Sequence, residues 1–276
     1  MPGEQIVLAD TEVNEANIDD AFQRLREAVK GKPEDTVVLF LAGHTDTDAR
    51  TDQFCLLLPR FPFDPAGPEN LALARENPGV AVRGNVGGSF RIKVGDPDVL
   101  PYVVLYNRLA RLEALQRLII VDACQAGAIL EDPAVQNIQR LVEKGSRKVR
   151  NSYLLAARRG EPANEADALE HGLLTYTLLQ GLRAPGLKAI PADLGGFPGK
   201  ASADLNLDGL VTSDELVAFT DDALPRLAQM FPKVVMRAGN APLVPNPLGA
   251  PELEQKLRLQ SSNASFPLIA LPPPPR

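Results

Sequence analysis

Two short runs of the chain are apolar at nearly every position. They are Thr36-Val37-Val38-Leu39-Phe40-Leu41-Ala42-Gly43 and Leu118-Ile119-Ile120-Val121. Apolar runs of this length, rich in β-branched residues, read as strands buried on both faces in the middle of a parallel sheet. The first runs out into His44 and the second into Asp122-Ala123-Cys124-Gln125-Ala126-Gly127. Helical spacing appears at Asn14–Lys30, where Ile18, Phe22, Leu25 and Val29 share a face. Acidic Glu15, Asp19 and Asp20 come early in that stretch and basic Arg26 and Lys30 late, which complements a helix dipole. Further helices are predicted at Tyr102–Leu115, Pro133–Lys144, Glu170–Leu182 and Ser213–Met230, and shorter strands at Gln5–Ala9, Phe54–Pro59 and Ser152–Ala157. Residues 60–101 are rich in Pro and Gly and read as loop, with a short helix at Asn70–Arg75. Strands alternating with helices predict an α/β fold around a mostly parallel sheet.

Composition narrows this without changing it. The chain has 276 residues, 45% hydrophobic and 23% charged, the profile of an ordinary globule with ample core. A net charge of −6 argues against nucleic acid and anionic membrane as main partners. Two cysteines cannot build a disulfide framework, which indicates a reducing compartment. Met1-Pro2-Gly3-Glu4-Gln5 has neither the basic nor the apolar region of a signal peptide, so a cytoplasmic protein is expected. The pattern divides into one domain over residues 1–235 and a Pro-rich tail over 236–276, expected to be extended or disordered.

Candidate chemistry lies at the two strand ends. Ligands and catalytic groups gather at the carboxyl ends of parallel strands. A thiol at one end and an imidazole at another form the pair that acyl-transfer enzymes use, because a free thiol is only a few per cent thiolate at neutral pH, on the order of its ordinary pKa, and needs a base. Cys55, inside an apolar strand, reads as core, and His171 as a packing or capping residue. Asp46, Asp48 and Asp52 form a polar loop after His44, read as solvated, with recognition of a basic substrate or a second cation as the alternative.

Leu39-Phe40-Leu41-Ala42-Gly43-His44 and Val121-Asp122-Ala123-Cys124-Gln125-Ala126-Gly127 resemble the His and Cys boxes of bacterial caspase-like proteases, relatives of caspases and metacaspases. The stretch from Ala157-Arg158-Arg159 to Leu178-Leu179-Gln180-Gly181-Leu182 resembles the C-terminal half of such domains, and the likeness runs from about residue 5 to 230. The resemblance implies a caspase-like three-layer sandwich and a cysteine endopeptidase. Cys124 would be nucleophile, His44 general acid/base, and the Cys124 N–H one oxyanion donor. Asp122 would be the substrate-binding acid that selects Arg or Lys before the scissile bond; the plainer reading is an Asp hydrogen-bonded at the strand end. Two departures point to a catalytically inactive regulatory or interaction module as the alternative. Thr45 stands where the family has a Gly, and no apolar strand and helix precede residue 5. That first strand would come from a larger parent protein or a partner, or from Phe266–Leu271.

Asp204-Leu205-Asn206-Leu207-Asp208-Gly209-Leu210-Val211-Thr212-Ser213-Asp214-Glu215 matches the calcium loop of EF-hands at each diagnostic position. Asp204, Asn206, Asp208 and Glu215 would give side-chain oxygens, Leu210 its carbonyl, and Thr212 a direct or water-mediated contact. The Gly- and Pro-rich segment before it does not read as a helix, so this is half a hand with a structural Ca2+. The alternative is a capped helix start without metal. No organic cofactor is expected.

Overall fold

The computed structural model describes residues 3–61, 92–144, 149–159, 163, 165–166, 169–190, 194–230, 258–261 and 265–271. The helix expected at Asn70–Arg75 lies outside them. Among the described residues the elements, in chain order, are α1 (Glu15–Ala28), β1 (Thr36–Gly43), β2 (Thr45–Thr47), β3 (Phe54–Leu57), β4 (Val99–Pro101), α2 (Tyr102–Ala110), β5 (Gln116–Ala123), α3 (Pro133–Lys144), β6 (Arg150–Leu155), β7 (Glu165–Ala166), β8 (His171–Gly172), α4 (Leu173–Gly181), β9 (Leu210–Thr212), α5 (Ser213–Met230), β10 (Arg258–Ser261) and β11 (Pro267–Ala270).

The fold is α/β. β1, β5 and β6 form a parallel sheet, and β10 adds an antiparallel strand at the β6 edge. Alternate residues of β5 serve two cores. Ile119, Val121 and Ala123 join Ile18 and Phe22 of α1, Leu105, Tyr106 and Leu109 of α2, and Val135 of α3. Leu118 and Ile120 pack with Leu173, Leu174 and Leu178 of α4 and Leu216, Phe219 and Leu224 of α5. Helices therefore cover both faces of the sheet, as buried parallel strands require.

The expectation of two-faced burial holds for β5 and fails for β1. Val37 is buried, but Val38 and Phe40 are 54% and 46% exposed. β1 is the sheet's edge strand among the described residues, and the second helical layer covers β5 and β6. The helix predicted to reach Leu115 stops at Ala110, with Arg111 as its C-cap. The buried guanidinium of Arg117 takes the turn that follows, donating to the carbonyls of Leu112 and Ala114 at 3.2 Å each. Gln5–Ala9 is not a strand.

Two pieces of the Pro-rich tail join the fold. β10 pairs with β6, and β11 pairs antiparallel with β9. Phe266 is buried in the second core and accepts a backbone hydrogen bond from Ser213 at 2.8 Å. Phe266–Leu271 thus does not supply a strand beside β1. Its contact there is a single hydrogen bond, from Thr36 Oγ1 to the Pro267 carbonyl at 3.4 Å.

Candidate functional site at the ends of β1 and β5

The β1–β5 ladder ends with Gly43 opposite Ala123. His44 and Cys124 are the next residue after each strand, so both follow the same end of the parallel pair. Gly43 has φ 146°, a conformation closed to most L-residues, and it turns the chain out of β1 directly into β2. His44 is open to solvent, yet the surrounding protein displaces enough water to lower its pKa below the ordinary histidine value. Cys124 is half-buried and forms no disulfide.

Thr45, the residue after His44, is 3% exposed, and its hydroxyl donates to the Cys124 carbonyl. The backbone N–H of Leu57 bonds to the His44 carbonyl, and that of Asp48 to the Gln53 carbonyl. Antiparallel pairs alternate between bonded and non-bonded. The Thr45–Leu56 pair is therefore a non-bonded one, and the Thr45 N–H is directed away from β3.

Residues 45–48, read as solvated loop, are instead buried and include a strand. Asp46 and Asp48 are each 1% exposed. Asp46 accepts from the Gln125 side-chain amide at 3.0 Å and from the Thr47 N–H at 2.7 Å. Asp48 accepts from the N–H groups of Arg50, Thr51 and Val94, at 2.7, 3.1 and 2.7 Å. Burial raises its pKa, but these hydrogen bonds outweigh that and hold it low. Asp52 pairs with Arg159, which also approaches Glu131 at 3.5 Å. These acids are already engaged by the protein's own donors.

Asp122 has a hydrogen-bond partner that is not visible in the sequence. Its carboxylate accepts from the Thr175 N–H at 3.0 Å and from the Thr175 hydroxyl, capping the start of α4. Gly172 is required beside it, because a Cβ there would run into that carboxylate. His171 lies in β8, opposite Ala166, and not in the helix. Cys55 is fully buried, and burial together with nearby Asp48 and Asp132 pushes its thiol up to about 12.

The calcium-type loop has the predicted backbone. Gly209 has φ 85°, and the Asp204 carboxylate accepts from the N–H groups of Asp208 and Gly209 at 3.1 and 3.0 Å. Asn206 Oδ1 accepts from Asp208 N–H at 2.9 Å, and Asp208 from Leu210 N–H at 2.8 Å. Glu215 accepts from the N–H groups of Leu205, Asn206 and Thr212, and from the Thr212 hydroxyl. Burial raises the pKa of Glu215, but the hydrogen bonds prevail and lower it. The described residues directly before the loop, 194–203, form no α-helix. Its donors are the hard oxygens a calcium ion takes, although among the described residues no three acidic, His or Cys side chains converge as a metal cluster. A cleft of about 490 Å3 between Pro198–Leu205 and α5 is lined by Phe219, Asp222 and Arg226 and by none of the dyad residues.

No family model, no curated protein and no solved structure matches this chain. No helix among the described residues is long and apolar enough to cross a membrane.

Sequence reasoning missed Gln125, Thr175, Arg159 and Asp132. Asp132 had a local signal, an Asp directly before Pro133 at a helix start. Its carboxylate caps α3 through the N–H groups of Ala134 and Val135 and also holds the Phe54 N–H of β3. The other three had none, since each acts on a residue distant in the chain.

Proposed function

We propose that this chain is a caspase-like cysteine endopeptidase with a Cys124–His44 dyad, cleaving proteins after Arg or Lys. The observation that carries the reading is the β1–β5 register, which sends a thiol and an imidazole off adjacent parallel strands at one sheet edge. His44 takes the thiol proton. The Cys124 sulfur attacks the scissile carbonyl, the C–N bond breaks as His44 protonates the leaving amine, and water then hydrolyses the thioester. The N–H groups of Cys124 and Thr45 are the oxyanion donors; the direction of the Thr45 N–H, away from β3, supports its part. Asp122 is the acid that prefers a cationic side chain, with Thr175 holding its carboxylate in place.

Ca2+ would be held by Asp204, Asn206, Asp208, Glu215, Thr212 and the Leu210 carbonyl. It would tie the loop to α5 and serve structure rather than chemistry. The substrate is a protein or peptide, and two cysteines outside any disulfide fit a cytoplasmic, reducing setting. Among the described residues β1 is an edge strand with Val38 and Phe40 exposed, which supports a further strand from a parent protein or partner. Thr45 in place of a smaller residue, and an Asp122 already engaged by Thr175, favour the second reading, an inactive caspase-like module.

Hydrolysis of fluorogenic peptides bearing Arg, Lys, Asp or Ala before the reporter, with calcium and with chelator, separates these. Turnover confined to Arg and Lys, and lost in Cys124→Ala, is the expected result. Turnover only after Asp removes the Asp122 assignment. No turnover by folded protein leaves the inactive module.

A further inference from the structure

Both dyad residues lie one position beyond the last registered pair of their strands, where the ladder no longer holds them. Something else must fix the Cys124 turn against the His44 turn. We propose that Thr45, Asp46 and Gln125 form a positioning latch that closes the Cys124 turn onto the residues following His44; this rests on the dyad reading above.

The latch has two points. The Thr45 hydroxyl holds the carbonyl of Cys124, which fixes the peptide plane leaving the nucleophile. The Asp46 carboxylate, 1% exposed, accepts from the Gln125 side-chain amide at 3.0 Å. A buried carboxylate demands such donors, so this contact is strongly constrained. Gln125 itself has φ 56°, a left-handed conformation that a residue with a Cβ keeps only where its surroundings hold it. From there the chain enters a tight turn, with Ala128 N–H on the Gln125 carbonyl and Gly127 N–H on the Ala157 carbonyl, at 2.8 Å each. The side chain that stabilises this backbone is thus the one tethered to the His44 side. The Thr45 hydroxyl and the side chains of Asp46 and Gln125 need not touch substrate; they act through the orientation of Cys124, a duty separate from that of the Thr45 N–H.

The test is the alkylation rate of Cys124 by iodoacetamide at neutral pH, read by mass spectrometry on the full chain. Peptide turnover is followed in parallel. Thr45→Val keeps shape and loses the hydroxyl, Gln125→Met keeps bulk and loses the amide, and Thr45→Ser restores the donor. The latch predicts that Val and Met each slow alkylation about tenfold, toward the reactivity of an unassisted thiol, and that Ser recovers it. It also predicts a fall in kcat with KM unchanged. Circular dichroism checks that each variant is folded, and Gln125, half-buried, gives a second point of test where a change at Thr45 is not tolerated. If Thr45→Val and Gln125→Met alkylate at the parental rate while His44→Ala slows, the latch is overturned and the dyad stands. If His44→Ala also leaves the rate unchanged, the dyad reading fails and the latch with it.

Discussion

Removing the Asp122 carboxylate should loosen α4 before it affects anything else. Asp122→Ala deprives the Thr175 N–H and hydroxyl of their shared acceptor. A hydrogen bond to a charged group contributes about 1.5–3 kcal/mol, and one that water can partly replace sits at the lower end. Asp122 is half-buried, so we expect a loss of about 2–3 kcal/mol, with Asp122→Asn losing about half of that because its amide oxygen still accepts. Gly172→Ala attacks the same contact from the other side. Its new Cβ would stand 2.9 Å from the Asp122 Cγ, and overpacking of this kind costs about 1–3 kcal/mol. The double variant should lose less than the sum, because the alanine at 122 removes the atoms that the new methyl strikes. Urea denaturation read by circular dichroism gives all three values. A loss below about 0.5 kcal/mol for Asp122→Ala, or full additivity with Gly172→Ala, refutes the cap. Since Asp122 is also proposed to select Arg and Lys, peptide selectivity on Asp122→Asn, the milder variant, separates the two duties.

Three further outcomes follow from the site. At pH 8, iodoacetamide should label Cys124 and leave Cys55 untouched, because burial and neighbouring acids hold the Cys55 thiol at about 12; equal labelling in intact protein would contradict this. The His44 ring in Cys124→Ala should titrate by NMR below the ordinary histidine value, because the surrounding protein displaces water and so favours its neutral form; a midpoint at or above that value refutes the placement. Glu215 is depressed when folded, so its contribution to stability is full above the ordinary carboxylate value and is lost as pH falls through the folded value. Glu215→Gln should flatten that acid limb of the unfolding curve, and millimolar calcium should raise the melting temperature of the parent chain but not of this variant.

Much of the scaffold is legible in the sequence because the deciding forces are local. Ser213–Met230 and Pro133–Lys144 fall where the apolar spacing, Asp132-Pro133 and the flanking Gly put them. β5 follows from its β-branched run. β1 shows the limit of that argument, since a run apolar at every position reads the same whether one face or two are covered. What decides is how far α4 and α5 extend, which no residue of β1 encodes. Thr45-Asp46-Thr47 reads as loop by composition and becomes a strand only because Phe54–Leu57 lies beside it. Phe266–Leu271 is legible as a candidate strand, but its partner is not: Pro267–Ala270 pairs with β9 and not beside β1. At the site, the chemical groups were legible and their supports were not. Asp122 and Thr175 are 53 residues apart, and Gln125 and Asp46 are 79.

The acids around the dyad show how such supports work. Asp46, Asp48 and Asp132 are at most 1% exposed, a burial that would be prohibitive for unpaired carboxylates. Each is instead given to backbone or amide donors: Asp46 to Thr47 and Gln125, Asp48 to Arg50, Thr51 and Val94, Asp132 to Phe54, Ala134 and Val135. Every one of those carboxylates joins segments that the sheet ladder does not reach. Asp48 ties the turn after β2 to the segment before β4, Asp132 ties β3 to α3, and Asp46 ties the His44 side to the Cys124 side. Acidic residues near a thiol would ordinarily suppress its ionisation, as they do at Cys55. Asp46 is among the acids that do so, and its carboxylate is committed to Thr47 and Gln125. The same stretch that reads as an acidic loop in the sequence joins, in the fold, the segment after β1 to the turn after β5.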